Sequence, residues 1–116
     1  MIASTPEPPY WAVIFTSLRA DGDAGYAAMA AAMERLASAQ PGFLGMESAR
    51  EAVGITVSYW SDEAAIAAWK AQVEHLAAQQ LGRERWYADY AVRIARVERA
   101  YGKPLSGPGT PPAASP

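Results

Sequence analysis

Proline placement divides this chain more sharply than any other feature. Of nine prolines, Pro6, Pro8 and Pro9 precede Tyr10, five follow Lys103, and Pro41 alone lies between. Proline removes a backbone donor and fixes φ, so regular structure belongs to the intervening stretch. A folded body is expected at residues 10–101, flanked by a flexible N-terminus at 1–9 and a Pro-, Gly- and Ser-rich flexible tail at 102–116. The tail, GKPLSGPGTPPAASP, has almost no large apolar side chain, so burial cannot offset the entropy lost on ordering it. It also lacks an aromatic anchor and has one basic residue, Lys103, which argues against a Pro-rich ligand for an SH3-like groove.

Inside the body, hydrophobic periodicity alternates between two kinds. Tyr10 to Leu18 is aromatic and β-branched and reads as a first strand. After Asp21-Gly22-Asp23, the residues Tyr26, Met29, Met33, Leu36 and Ala37 recur at helical spacing until Gln40-Pro41-Gly42 ends the run. Phe43 to Ala49 and Gly54 to Trp60 read as an antiparallel hairpin turning through Arg50-Glu51-Ala52-Val53. Ser61 is the expected N-cap of a second helix, with Asp62 and Glu63 complementing its dipole. Ile66, Trp69, Val73, Leu76 and Ala77 form its stripe, and Gly82 its stop. Trp86 to Tyr101 closes the body as a strand, with a bulge or strand bend expected near Ala95 because Val92 and Ile94 differ in parity from Val97.

The resulting order, β-α-β-β-α-β, predicts an α+β ferredoxin-like fold: a four-stranded antiparallel sheet with two helices on one face. Strand one carries large apolar residues on both parities, Trp11, Val13 and Phe15 against Tyr10, Ile14 and Leu18. The face away from the helices therefore also needs cover, which a homodimer supplies.

Composition narrows the chemistry. A length of 116 residues holds one domain, and a net charge of -2 removes the long-range attraction that nucleic acid or an anionic membrane surface requires. Without cysteine there is no thiolate nucleophile and no Cys-based metal site, and a single histidine, His75, excludes a multi-histidine site within one chain. No basic leader or run of apolar residues long enough to span a membrane is visible, so a cytoplasmic protein is expected.

The segment QPGFLGMES after helix one, the strand GITVSYW, the helix-two run Ala-Ile-x-x-Trp-Lys followed by Glu-His, then Gly-Arg, Trp-Tyr and Arg-Val-Glu-Arg, resemble the antibiotic biosynthesis monooxygenase family. The resemblance covers residues 10–101 and implies a dimeric α/β barrel, in which two sheets pack together and each subunit keeps a cavity between its own sheet and helices. It also implies one of three activities. The leading expectation is a cofactor-independent monooxygenase that oxidises a small anthrone, phenol or quinol with O2. The alternative is a non-catalytic small-ligand binding protein on the same barrel. The third is a haem-binding or haem-degrading protein. Haem degraders resembling this fold use an asparagine on strand one, a tryptophan on helix two and a histidine ten residues later. Trp69 fits that tryptophan, whereas Ser17 and Gln79 stand at the other two positions.

Oxygenation without a cofactor makes the substrate the reductant, so the protein must help remove a proton, stabilise the anion and exclude water. His75 is the candidate base by its unperturbed pKa, although an uninterrupted helix turns it away from the apolar stripe. Arg83 is the candidate anion contact, at the turn from helix two into the last strand. Trp69, Trp60, Tyr59, Trp86, Tyr90 and Ser17 are the candidate substrate-binding residues. Each has an ordinary alternative: core packing for Trp69 and Trp60, an interface for Tyr59, and salt bridges for Arg83 to Glu84 or Asp89.

Overall fold

The computed structural model describes residues 2–19, 26–79 and 87–102. Strand β1 (Tyr10–Arg19), helix α1 (Tyr26–Ser38), strands β2 (Phe43–Arg50) and β3 (Gly54–Trp60), helix α2 (Glu63–Gln79) and strand β4 (Tyr87–Val97) follow one another in the expected order. The four strands make one antiparallel sheet with spatial order β2-β3-β1-β4. This is the ferredoxin-like arrangement.

Pairing follows from the alternation of side chains. Trp11 lies opposite Trp60, Val13 opposite Ser58, and Ser17 opposite Gly54, so each pair shares a face. Trp60, Ala37 of α1 and Ile66 of α2 form the buried centre, and Trp11, Val13, Phe43, Met46, Ala65 and Trp69 pack against it. The even-parity residues of β1, beginning with Tyr10 and Ala12, therefore point to the opposite, outer face.

The joint between the hairpin and the helices is a glycine. Gly42 has φ of 86°, and its carbonyl accepts a 2.8 Å bond from the amide of Ser61. A Cβ there would stand 2.6 Å from that of Ala65 and 2.8 Å from Ser61 Oγ, so only glycine lets the α1–β2 turn close on the start of α2.

Two expectations need correction. The cap of α2 is Asp62, not Ser61: Asp62 Oδ1 accepts the amide of Ala65 at 2.7 Å, three residues on. Ser61 is instead spent on the Gly42 carbonyl, which fixes its backbone outside the helix. Nor does β4 bulge near Ala95. Its register with β1 runs unbroken from Tyr10↔Val97 to Leu18↔Asp89 and slips only where Arg19 meets Tyr87, leaving Ala88 over. The change of parity between Ile94 and Val97 reflects a strand apolar on both faces, which needs no irregularity. The expected stop at Gly82 lies outside the described residues.

Candidate active site

The helix-side face of the sheet has two unlike halves. Over β2 and β3 it is closed. Trp60 has no exposed surface, its indole stacks on Trp69 with centroids 5.9 Å apart, Phe43 meets it edge-on at 5.5 Å, and its Nε1 donates to Ser58 Oγ at 2.9 Å. Over β1 and β4 the same face is open. Tyr90, Val92 and Ile94 are 38%, 48% and 51% exposed, and Phe15 leans on the Tyr90 ring at 5.6 Å.

One row of residues joins the halves. Arg50 pairs with Gly54, Gly54 with Ser17, and Ser17 with Tyr90, so the four lie abreast across β2, β3, β1 and β4 on the helix-side face. The Arg50 guanidinium reaches over Gly54 and donates through Nη2 to the buried hydroxyl of Ser17. A Cβ on residue 54 would occupy the space that guanidinium fills. Neither Arg50 nor Gly54 is singled out by sequence reasoning. The signal available was a long cation facing a glycine across a hairpin, which means something only once the register is known.

The outer face handles charge differently. Glu47 accepts the Tyr59 hydroxyl at 2.8 Å and the amide of Ala3 at 2.7 Å, while Tyr10 and Thr5 share a 2.9 Å hydrogen bond. Residues 3–5 thus lie against this end of the sheet, close over Gly45. Tyr10 and Tyr59 meet edge to face at 5.7 Å. Burial, then the hydrogen bond and charge of Glu47, with a further push from Tyr10, raise the Tyr59 phenol from 10.0 to about 12. Further along this face Leu18 and Ile55 are exposed.

The candidate residues therefore fall into separate places. Trp69 and Trp60 form the wall of the closed half, Ser17 and Tyr90 lie together in the open half, and Tyr59 is on the outer face with Glu47. His75 is exposed on α2, which runs unbroken from Glu63 to Gln79 with Ile66 and Val73 buried on its inner side. Arg83 and Trp86 lie outside the described residues. These positions do not suit a haem, because the lone histidine is turned from the aromatic face and Ser17 is engaged by Arg50. A second, open groove of about 410 Å³ runs between α1 and β2, floored by Phe43 and Met46 and rimmed by Glu34 and Arg35. No described helix is long and apolar enough to cross a membrane.

Sequence and structure comparisons agree with this architecture. The profile of the family described as antibiotic biosynthesis monooxygenase matches residues 9–81. The chain belongs to that family. It is 54% identical over 100 residues to YqjZ of Bacillus subtilis, an uncharacterized protein, covering 84% of this chain and 88% of YqjZ. Among solved structures it is similar to SnoaB of Streptomyces nogalater, described as a cofactor-independent oxygenase, with a TM-score of 0.66 at 15% identity over 80% of this chain and 97% of SnoaB. A protein of Shewanella oneidensis, SO0527, gives a TM-score of 0.60 at 17% identity over 85% of this chain and all of its own. At such identities the structural likeness speaks for the fold alone.

Proposed function

We propose that this protein is a cofactor-independent monooxygenase that binds a small anthrone, phenol or quinol against the helix-side face of β1 and β4 and oxidises it with O2. The observation that carries the reading is the open aromatic surface of Phe15 and Tyr90, continued by exposed Val92 and Ile94, in a family of this kind. A flat ring stacks on such a surface and loses water from one side. The substrate supplies the electrons: its anion passes one to O2, the radical pair combines as a carbon-bound peroxide, and loss of water leaves a carbonyl. For an anthrone the sum is a CH2 group and O2 becoming C=O and H2O.

In this reading the proton is not routed through His75, whose side chain is exposed on α2. The substrate, acidified by a nearby cation, instead gives its proton to bulk water to form the anion. Arg83, the expected anion contact, remains a second candidate for that cation. A second copy of the chain is proposed to cover the outer face around Leu18 and Ile55.

Oxygen uptake by metal-free protein with dihydroxynaphthalenes, anthrones and quinols tests the reading, run beside His75→Ala. Uptake retained in the variant, with a pH profile that tracks each substrate's hydroxyl, is expected. A tenfold or greater fall in His75→Ala would return the base to the histidine. Saturable binding without uptake favours the ligand-binding alternative.

A further inference from the structure

We infer that Arg50 is an anion anchor that makes this site selective for aromatic ligands bearing an anionic oxygen, a carboxylate or a phenolate. The inference deepens the proposed oxygenase reading and rests on its choice of face. Three observations carry it. Arg50 belongs to the edge strand β2, yet its guanidinium is carried across β3 to a hydroxyl on β1. That path exists because residue 54 has no side chain. And the hydroxyl it reaches belongs to Ser17, which is 3% exposed and directly abreast of Tyr90, whose ring meets Phe15.

Such a reach costs a long side chain rotamer entropy and water of hydration. Here the reach brings a permanent positive charge, fixed in direction by Ser17, to the border of an apolar aromatic surface. Neighbouring strands lie about 4.8 Å apart, so a ring stacked over Phe15 and Tyr90 places a substituent within one or two strand spacings of the guanidinium. In that half-dry setting a guanidinium discriminates strongly between an anionic oxygen and a neutral one, through charge-assisted and, for a carboxylate, bidentate hydrogen bonds. A phenolate held there is also the species that oxygenation consumes, so the same contact lowers the substrate's pKa and orients it. Ser17 is thus a positioning residue, and Gly54 is the opening that lets it act.

The test compares matched probes by quenching of tryptophan fluorescence and by calorimetry on the full chain: naphthoate against naphthamide, and para-nitrophenolate against para-nitroanisole. The wild type is expected to favour the anion of at least one pair by roughly tenfold or more. The pair that shows the preference identifies carboxylate or phenolate as the anchored group. In Arg50→Gln that ratio should collapse toward one. In Gly54→Ala, which keeps the charge and displaces only the tip of Arg50, it should also fall. Arg96→Gln removes another arginine of the same face, one paired with Glu98 at 3.2 Å, and should leave the ratio unchanged. The inference is overturned by equal affinity for both members of both pairs, by a preference that persists in Arg50→Gln and Gly54→Ala alike, or by no binding at all. Equal affinity with saturable binding removes the anchor while leaving the aromatic site and the oxygenase reading intact. Absence of any binding removes both.

Discussion

Trp60 and Tyr90 stand on one face of one sheet, yet the first has no exposed surface and the second is 38% exposed. The difference lies in what crosses above them. Ala37 of α1 and Ile66 of α2 close over Trp60, and Trp69 stacks on it, so the indole becomes the keystone of the core. Tyr90 instead meets the ring of Phe15 beside it on the sheet, and it and the apolar residues that follow along β4, Val92 and Ile94, stay exposed. Large aromatic residues thus serve packing where two helices converge and stay exposed where the described helices do not cover the sheet. Residue type says which surfaces are sticky, and helix placement decides which of them remains available to a ligand.

The comparison breaks if the two aromatics prove interchangeable. Trp60→Ala should cost about 3–5 kcal/mol of unfolding free energy in urea titrations, because it empties the centre of the core. A loss below about 1 kcal/mol would mean that the closed half is not the core. Asp62→Ala should cost about 1 kcal/mol by removing the cap that starts α2, the helix that closes the Trp60 half. Differential exchange at the Ala65 amide would locate that loss at the helix start.

The outer face gives a third comparison, through pH. The Tyr59 phenol is raised to about 12 in the folded chain against 10.0 in the unfolded one, so the folded state holds its proton longer. That contribution is fully present below pH 10.0 and is lost as pH rises toward 12. Tyr59→Phe should flatten this alkaline decline in melting temperature. The smallest effect on stability belongs to Tyr90→Ala, expected within about 0.5 kcal/mol of wild type. The same change should weaken naphthoate and naphthamide together by about threefold to tenfold through lost stacking, which sets it apart from Arg50→Gln.

Much of the fold was legible because its alternation is clean. Gly54 to Trp60 matched its strand end for end, with Ile55, Val57 and Tyr59 on one parity and Trp60 on the other. The errors came where two local signals competed. Ser61 and Asp62 are both good caps, and the carbonyl of Gly42, nearly twenty residues back, decided between them. The parity change before Val97 looked like a bulge because a strand apolar on both faces mimics one. The candidate site was legible only in part. Ser17 and Tyr90 could be named from resemblance and aromatic character, but Arg50 could not, since its meaning depends on the register of three pairings at once. Within its own segment it reads as a turn residue beside Glu51. Likewise nothing in its local sequence marks Glu47 as the acceptor for both Tyr59 and Ala3.

That last bond has a practical consequence. The amide of Ala3 is clamped by Glu47 although its neighbours on both sides, Ile2 and Ser4, are exposed. Its hydrogen-exchange rate therefore isolates one event, the lifting of the chain's first residues from the sheet, from the unfolding that governs exchange in the strands. A fusion partner attached ahead of Ile2 would pull on that clamp directly, so the Ala3 amide doubles as a gauge of whether a tagged preparation still has the surface of the native one.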